Sequence, residues 1–498
     1  MHALAPPMTD SGRPVVVVVG GGVTGLSAAY AVHRARPDVT VRLFEARDHV
    51  GGNIVTERID GFVIDAGPDS FLRTKPEAVA LCRELGLESE LIPTRAEARH
   101  VFAAHQGKLV PLPGGMALAV PTRLGPLIET PLLSLWGKLR LLAEPFIGRG
   151  GGDADESIES FFSRRVGKEA ARVLAAPLLA GIYAGDFREL SIRSTFPQLV
   201  ELERKHGSLL RGFLALELAR SAGEPKRISL GDVYRWLRRR GEAQAASPFL
   251  SLRSGMGTLI DALVGALPEG AVRTSSPVTS VRREGVRFRV ELGPESFVAD
   301  RVILASPAHS TARFLGEEGL AREFGGIPTV STATVFFALD RAKVRHSLAG
   351  FGFIVPEGEA KILAGTWVSS KWDDRAPADG ALVRAFVGGA RDPERVASST
   401  DEELVALARS ELERFMGPLG EARFSRVFRY ERANPQPILG HAERLARLDA
   451  LVRAVPGLAF CGASYDGVGI PDCVRQARRA ADTVLTGLPG AVVRAGAE

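Results

Sequence analysis

The chain has 498 residues, of which 45% are hydrophobic and 24% charged, with a formal net charge of +5. This length allows a large core and more than one domain, and the composition is ordinary for a soluble protein. The basic residues are interspersed and not interleaved with aromatics, which argues against a nucleic-acid-binding face but remains compatible with an anionic substrate or membrane surface.

Cysteine content and hydropathy indicate the redox compartment of the protein and its relation to membranes. The three cysteines, Cys82, Cys461 and Cys473, cannot form a disulfide framework and favour a reducing compartment. The N-terminal residues lack the pattern of a signal peptide, and no uninterrupted apolar run is long enough to span a bilayer. The most apolar stretch, residues 116–148, is broken by charged residues and prolines. From the residues alone, it fits a core helix better than a helix in a membrane interface.

The first predicted elements form a nucleotide-binding unit. Five consecutive valines, residues 15–19, predict a strand buried on both faces. A second apolar run ends at Glu45, where a βαβ site places a carboxylate for ribose hydroxyls. Strand, glycines, helix, second strand and acid occur in this order, which predicts a dinucleotide site with phosphates at the helix N-terminus. The turn between strand and helix has G-x-G-x-x-G spacing and comprises Gly20, Gly21, Gly22, Val23, Thr24 and Gly25.

A second glycine pair favours FAD over NAD. Gly51, Gly52 and Asn53 follow Glu45, with Thr56 shortly after. This spacing resembles the E-x5-GG-x3-T extension of the glutathione-reductase-like flavoproteins, in which the glycines let the chain pass close to the flavin side of the cofactor. A plain turn is the alternative, and it leaves the fixed position of the pair after Glu45 unexplained.

The rest of the chain alternates between strand-like and helical segments. Residues 62–71 read as a strand and tight loop, residues 76–91 as a helix, and residues 148–152 as a linker. Buried-strand character returns at residues 301–308 and 457–463, so the nucleotide domain is expected to combine separated segments. The other expected elements are amphipathic helices over 156–220 with an interruption at 181–186, a helix opening at 254–257, a meander over 272–298, a second sheet at 331–339 and 381–390, and a helix at 472–485.

The C-terminal glycine-rich turn has a chemical rationale. Residues 461–473 predict a strand, a turn and a second helix N-terminus. Backbone N–H groups there would stabilise the negative charge that reduced flavin carries near N1. A strand–turn–helix with no ligand is the alternative.

Several short runs resemble the oxygen-dependent protoporphyrinogen oxidases. They are GIYAGD at 181–186, LSIRSTFP at 190–197, GFGFIVP at 350–356, FVGG at 386–389 and GVGIPDC at 467–473. With the N-terminal glycines and AGPDSF, the resemblance covers residues 14–485. It implies an α/β (α+β) multi-domain fold with a Rossmann-like FAD-binding domain of the glutathione-reductase/amine-oxidase type. That domain would comprise residues 13–98, 250–310 and 441–486, beside a helical, membrane-associated domain at 99–225 and a sheet-based substrate domain at 311–440.

The resemblance also implies residues that contact non-covalently bound FAD. Asn53 stands where an arginine or tryptophan is often found in the family. Beyond the first glycine turn and Glu45, the implied contacts are Asn53, Gly67, Pro68, Asp69, Ser70, Val278, Val468, Gly469 and Ile470.

Five further residues match substrate positions of the family. Arg99 is expected to face a propionate, because a guanidinium fork binds both carboxylate oxygens. Ile354, Trp367 and Phe386 match positions that sandwich pyrrole rings, although Trp367 is bulkier than the aliphatic residue usual there. Gly181 is expected to turn its backbone carbonyl toward the substrate. Without the resemblance, Arg99 reads equally well as a surface residue and the apolar trio as core.

The implied activity is oxidation of protoporphyrinogen IX to protoporphyrin IX in heme and porphyrin biosynthesis, with oxygen as acceptor and hydrogen peroxide as product. Coproporphyrinogen III is an alternative substrate. A flavin amine oxidase is less favoured, because Tyr465 has no obvious aromatic partner. A catalytically silent flavin-binding or membrane-interaction protein is the remaining class. The sequence holds no H-E-x-x-H, G-x-S-x-G or Walker A motif, so we expect no metal site and no side-chain acid–base catalyst.

The resemblance reverses the interpretation of the apolar stretch. Residues 100–220 are then expected to touch a membrane peripherally, at the inner face of the cell membrane of a cytoplasmic protein. Porphyrinogen and oxygen are the expected small-molecule partners, nucleic acid is not expected, and a homodimer is one oligomeric state that the resemblance allows.

Overall fold

The structure is a computed structural model. It describes residues 12–97, 100–117, 120–150, 154–222, 228–238 and 247–489. Arg99, the predicted propionate ligand, lies outside the described residues. The strands, in chain order, are β1 (Val15–Val19), β2 (Thr40–Phe44), β3 (Thr56–Ile59), β4 (Phe62–Asp65), β5 (Phe71–Leu72), β6 (Leu91–Pro93), β7 (Val101–His105), β8 (Lys108–Pro111), β9 (Met116–Ala117), β10 (Val120–Pro121), β11 (Phe249–Leu252), β12 (Val272–Arg273), β13 (Ser280–Glu284), β14 (Arg287–Leu292), β15 (Glu295–Ala299), β16 (Arg301–Leu304), β17 (Thr329–Asp340), β18 (Gly352–Ile354), β19 (Ile362–Trp367), β20 (Gly380–Gly388), β21 (Ala422–Pro435) and β22 (Leu458–Phe460).

The helices are numbered in the same way. They are α1 (Val23–Ala35), α2 (Pro76–Glu84), α3 (Leu124–Glu129), α4 (Leu135–Leu142), α5 (Ile158–Val166), α6 (Lys168–Ala170), α7 (Ala176–Tyr183), α8 (Ile192–Thr195), α9 (Pro197–His206), α10 (Leu209–Ala222), α11 (Leu230–Leu237), α12 (Gly257–Gly265), α13 (Ala308–Phe314), α14 (Glu318–Gly325), α15 (Val368–Lys371), α16 (Arg395–Ser398), α17 (Asp401–Met416), α18 (His441–Arg453) and α19 (Ile470–Leu485). A π-helical turn over Ala171–Ala175 joins α6 to α7.

A parallel sheet in the order β12-β2-β1-β16-β22 forms the centre of the first domain. All five residues of β1 are buried, which confirms the strand predicted to be covered on both faces. The neighbours of β1 are β2 and β16, whose residues lie more than 250 positions apart in the chain. With β22 added at the edge, the sheet combines distant segments of the chain, as the return of buried-strand character predicted.

Helices and a small antiparallel sheet cover the two faces of this parallel sheet. On one face, α1, α2, α12 and α19 share a core that includes Leu26, Leu81 and Val474. On the other face, the β13-β14-β15 meander packs with α14 and α18 around Phe288 and Phe324. The predicted meander over 272–298 is therefore confirmed except at its start, because β12 pairs with β2 in the parallel sheet.

The second domain is built on a seven-stranded sheet in the order β21-β17-β20-β19-β18-β7-β8. The predicted strands at 331–339 and 381–390 are confirmed as β17 and β20, which pair over nine residues. At one edge of this sheet lie β7 and β8, which belong to the 99–225 segment predicted to be mainly helical. They pair with this sheet because the open side of β18 can accept β7 as a parallel neighbour.

Helices dominate the remaining part of the 99–225 segment. α5, α7, α9 and α10 surround one apolar core that includes Phe161, Phe162 and Leu210. No helix within the described ranges combines the length and the apolar character that a bilayer crossing requires. The helix predicted over 76–91 is shorter than expected: α2 ends at Glu84, and Gly86 follows with a φ of +73° that a continuing right-handed helix cannot adopt.

Candidate active site

Two helix N-termini lie at the same edge of the parallel sheet. α1 follows β1 and α19 follows β22, and all the strands of this sheet run in one direction. Gly22 caps α1 and Gly469 caps α19, both with extended backbone and neither with a side chain. Such an edge, with uncapped N–H groups, is where open α/β sheets bind nucleotides.

The turn between β1 and α1 requires glycines because backbone segments contact each other directly there, with no room for side chains. A Cβ on Gly25 would lie 1.9 Å from the carbonyl oxygen of Gly20. Gly20 has a φ of +110°, and its own Cβ would lie 2.9 Å from the carbonyl carbon of Ala305. The turn therefore matches the structural role predicted from its spacing, with tight helix–strand packing and an open backbone above it.

Glu45 stands at the end of β2 and contacts the same turn. One carboxylate oxygen accepts the N–H of Gly21 at 2.6 Å, and the other accepts the N–H of Arg47 at 2.9 Å. The segment before Val278 runs alongside, because Ser276 donates its N–H to the carbonyl of Glu45 at 2.8 Å. Glu45 and the first glycine turn thus lie together, and the segment that leads to Val278 lies beside them although it is far away in the chain.

The second glycine pair packs directly on the first. Gly51 donates its N–H to the carbonyl of Gly21 at 2.8 Å, and a Cβ on Gly52 would lie 3.1 Å from the Cα of Gly22. The pair is therefore more than a turn, because larger side chains would separate the two segments. Further along, the carbonyl oxygen of Asn53 lies 2.0 Å from the position of a Cβ on Gly67, which joins the third predicted segment to the others.

Asp69 in that third segment has protein partners for its carboxylate. Lys371 Nζ lies 3.0 Å from both oxygens, and Arg384 and Trp372 donate to one of them at 3.0 and 3.3 Å. Burial by itself would raise the pKa of Asp69, but the charges of Lys371 and Arg384 outweigh burial and hold it well below its usual range. The side chain of Asp69 thus fastens the loop 67–70 to the second domain, while the loop backbone remains next to the glycine segments.

Two residues of the second domain reach the cofactor segments without any signal in the sequence. Arg384 is buried and donates to the carbonyls of Asp65 and Gly67 at 3.3 and 3.0 Å. The hydroxyl of Tyr430 is buried and has no hydrogen-bond partner among the described residues. It lies 3.3 Å from the position of a Cβ on Gly67. An unsatisfied buried hydroxyl beside a glycine-lined backbone fits a polar cofactor such as FAD at this place.

The face of the second sheet that covers these segments carries two of the three predicted apolar contacts. Ile354 pairs with Ala364, Ala364 with Phe386, and Phe386 with Thr334, so the four side chains form one row across the sheet. Thr334 Oγ1 donates to the carbonyl of Ala66 at 2.9 Å, which places the row against the cofactor loop. The guanidinium of Arg384 lies 4.4 Å from the ring centre of Phe386.

Trp367 lies on the opposite face, which corrects the predicted sandwich. Side chains of a strand alternate between faces, and Trp367 is three residues from Ala364. Its side chain is fully buried, and its Nε1 lies 3.4 Å from the sulfur of Met416 on α17. The bulk of Trp367 therefore fills the core behind the sheet, and Ala364 and Thr366 are the β19 residues on the cofactor side.

Gly181 lies in α7, whose end packs near β18 and β19. A Cβ on Gly181 would meet no atom within 4 Å, so this helix surface faces open space. The interruption that follows is tied to the second sheet, because Gln436 donates to the carbonyl of Tyr183 at 2.9 Å and Ala390 to that of Ala184 at 2.8 Å. Gly181 is thus held beside the sheet that carries Ile354.

The two cysteines near the site remain protonated thiols and are therefore poor nucleophiles. Cys461 and Cys473 are buried and not disulfide-bonded, and burial raises the pKa of the Cys473 thiol to about 11. Within the described ranges, His, Cys, Asp and Glu side chains nowhere gather in a set of three or more that would hold a metal ion. The arrangement is therefore suited to binding and orienting a redox cofactor against an apolar surface.

Comparisons with known proteins agree with this geometry. The family model described as "Flavin containing amine oxidoreductase" matches residues 23–485. A coproporphyrinogen III oxidase of Bacillus subtilis is 34% identical over 96% of this chain and 99% of its own. A protoporphyrinogen oxidase of Bos taurus is 33% identical over 94% of this chain and 98% of its own. A crystal structure from Exiguobacterium sp. 255-15, provisionally described as a protoporphyrinogen oxidase, has a TM-score of 0.81 at 32% identity and covers 95% of this chain and 99% of its own.

Proposed function

We propose, on the premise that this chain belongs to the family of flavin containing amine oxidoreductases, that it oxidises a porphyrinogen to a porphyrin. The chain is an FAD-dependent oxidoreductase of mixed α/β fold. The proposed reaction converts protoporphyrinogen IX to protoporphyrin IX, with oxygen as acceptor and hydrogen peroxide as product. The observation that carries the proposal is the apolar row of Ile354, Ala364 and Phe386, which continues from Thr334 on the sheet face that contacts the cofactor loop.

FAD, when bound, supplies a hydride acceptor at its N5 atom. Gly20 to Gly25, Glu45 and the Gly51–Gly52 pair would hold its nucleotide portion, and Val468 to Ile470 would place a helix N-terminus near its flavin end. Ile354 and Phe386 would orient the macrocycle and keep water out. Arg384, held by Asp69 and the Gly67 carbonyl, lies beside the ring of Phe386 on the same face of β20 and fixes its position. No side chain has to act as nucleophile in this scheme.

Coproporphyrinogen III is the second candidate substrate. Bacterial relatives named coproporphyrinogen III oxidase are 31–34% identical to this chain over nearly its full length, close to the identity with the bovine protoporphyrinogen oxidase. An aerobic assay of the FAD-loaded protein with each porphyrinogen, read by porphyrin fluorescence, distinguishes them. The substrate with the higher kcat/KM is the preferred one, and no fluorescence from either would refute porphyrinogen oxidation.

We propose in addition that α4 and its neighbours touch a membrane surface. Leu135, Trp136 and Leu139 on α4 are 69%, 79% and 49% exposed, whereas Leu141 of the same helix is buried. Ile128 and Phe146 extend the exposed patch. An exposed apolar helix face of this kind is typical of proteins that lie in the headgroup region of a bilayer. A peripheral position on the inner face of the cell membrane, in a cytoplasmic protein, follows as part of this proposal.

Co-sedimentation with anionic lipid vesicles tests the membrane proposal. Trp136→Ser should lower the bound fraction severalfold, because it removes the most exposed aromatic of the patch. Val286→Ser is a matched control, since Val286 is also 79% exposed but lies in the β13–β14 hairpin. An equal loss of vesicle binding in both variants, or no loss in either, would contradict a membrane-binding surface specific to α4.

A homodimer stays a prediction, which light scattering of the purified protein tests.

A further inference from the structure

The run LSIRSTFP at 190–197 has no part in the cofactor segments or the substrate face. Its buried Ser191 caps α8 by accepting the N–H of Ser194 at 3.0 Å. The same hydroxyl lies 2.8 Å from Asp155 Oδ1 and 3.1 Å from the hydroxyl of Ser194. Capping explains the first of these bonds only, so the hydroxyl and carboxylate contacts call for a second explanation.

Beyond Ser194, the chain of hydroxyls reaches a small cavity. The cavity offers about 10 Å³ to the centre of a water molecule, which is about the room that one water needs. Its lining combines polar and apolar residues and includes part of the glycine-rich turn before α19. The residues that matter are Tyr183, Ser194, His441, Ser464, Tyr465 and Val468.

The hydroxyl chain has one favoured direction. Ser191 has one hydroxyl hydrogen, and an ionised Asp155 can only accept, so we assign that hydrogen to the bond with Asp155. The two serine hydroxyl oxygens lie 3.1 Å apart, and with this assignment Ser194 is the one that can donate between them. The hydroxyl oxygen of Ser194 can then accept a hydrogen bond from a water molecule in the cavity. Asp155 is half-buried, and its second oxygen is buried without a partner among the described residues. A buried carboxylate oxygen without a partner in the protein calls for a water molecule or another polar group beside it.

The inner end of the chain lies close to the proposed substrate surface. Tyr183 lines the cavity and is the last residue of α7, the helix that packs near β18 and β19. His441 Nε2 lies 3.1 Å from the carbonyl of Tyr465, to which it donates in the neutral tautomer. The ring of His441 is therefore held in place at the cavity wall.

We propose that Asp155, Ser191, Ser194 and one water in this cavity form the path by which protons leave the substrate surface. The proposal rests on the proposed porphyrinogen oxidation. Each two-electron step removes a hydride from a meso C–H of the macrocycle, which FAD accepts, and one proton from a pyrrole N–H. That proton passes to the cavity water, which protonates Ser194 as Ser194 releases its own proton to Ser191, and so to Asp155 and solvent. Bonds and charges balance, and Ser191 and Ser194 end as neutral hydroxyls.

Ser194→Ala and Thr195→Val separate this path from helix capping. Thr195 Oγ1 donates to the carbonyl of Ser191 at 2.6 Å, so Thr195→Val removes a neighbouring hydroxyl of α8 that lies outside the path. Without oxygen, FAD reduction by the preferred porphyrinogen is measured in a single turnover in H₂O and in D₂O. We expect Ser194→Ala to slow reduction about tenfold or more and to change the solvent isotope effect. Thr195→Val should leave both values as in the unaltered protein, and Ser194→Thr should restore them.

A second readout requires no turnover. A high-resolution crystal structure of the FAD-bound protein should show an ordered water within hydrogen-bond distance of Ser194 Oγ, absent or displaced in Ser194→Ala. An empty cavity, or equal rates in Ser194→Ala and Thr195→Val, would overturn the path. If the unaltered protein oxidises neither porphyrinogen, the proposed function fails instead, and the crystallographic water still reports on the cavity.

Discussion

Lys371 and Asp69 form a buried ion pair that joins the two domains, with Lys371 Nζ 3.0 Å from both carboxylate oxygens of Asp69. The lysine ends α15 of the second domain, and the aspartate belongs to the loop 67–70 beside the cofactor segments. Because Arg384 donates to the same carboxylate, one buried anion fixes both the loop and the strand that carries Phe386.

Removing this anion should destabilise the protein strongly. Asp69→Asn leaves Lys371 and Arg384 buried without a counter-charge, a change that typically costs about 3–5 kcal/mol. The free energy of unfolding in urea measures it. Asp373→Asn is the control, because the pair between Asp373 and Arg95 is half exposed and longer, at 3.5 Å, and should contribute at most about 1 kcal/mol. Equal effects of the two changes would contradict the special role of Asp69.

The same pair predicts a pH dependence of stability. The pKa of Asp69 is lowered in the folded protein, so its contribution is fully present above the unfolded-state pKa, about 3.9, and declines as the pH falls below it. The difference in urea midpoint between the unaltered protein and Asp69→Asn should therefore shrink below about pH 4. Burial raises the pKa of Asp65, which has the opposite sign, and this burial is common to both proteins, although the charge of Asp69 adds to the rise in the unaltered protein. If the difference in urea midpoint increased as the pH fell, the lowered pKa assigned to Asp69 would be contradicted.

Gly25→Ala should abolish FAD binding. The added methyl group would lie 1.9 Å from the carbonyl of Gly20 and would push α1 away from the turn that receives the phosphates. The FAD content of the purified protein, read from its flavin absorbance, is expected to fall to a small fraction of normal. Gly319→Ala in α14 is the control, because a Cβ there meets no atom within 4 Å. Full FAD content in Gly25→Ala would show that the turn can open.

Trp367 and Phe386 should respond differently to truncation. Trp367→Ala empties a buried site behind the sheet and should cost about 3–5 kcal/mol of stability. Phe386→Ala removes part of the surface that faces the macrocycle and should raise KM or lower kcat with a smaller loss of stability. Urea unfolding and steady-state kinetics of both variants check this. If both variants are folded and Trp367→Ala changes KM or kcat more than Phe386→Ala does, the substrate role that the resemblance implies for Trp367 would be favoured. Its placement in the core behind the sheet would then be contradicted.

Arg99→Ala tests the propionate role implied by the resemblance. A guanidinium that binds a carboxylate contributes to substrate affinity, so the variant should raise KM severalfold with FAD content unchanged. Arg95→Ala is a nearby control, since Arg95 is paired with Asp373. Unchanged KM in Arg99→Ala would remove this residue from the substrate site.

The local sequence was sufficient to predict those structural features that are formed by residues close together in the chain. The strand at Val15, the glycine turn and Glu45 lie within one βαβ unit, so their order along the chain already sets their order in space. The meander was predicted from the alternation of its residues, and β17 and β20 from their strand-like composition, both of which are local properties of the chain. Helix ends were less well predicted, as at α2, because a single glycine beyond Glu84 decides where the helix stops.

By itself, the sequence therefore determined the nucleotide-binding unit, the FAD preference and the family to which the chain belongs. Only the tertiary structure decided which face of β19 meets the cofactor, which removed Trp367 from the predicted sandwich. It also brought Tyr430 and Arg384 to Gly67, more than 300 residues away in the chain. The physical reason is that a glycine turn is specified by steric contacts among neighbouring residues, whereas a strand's exposed face depends on its register with distant partners.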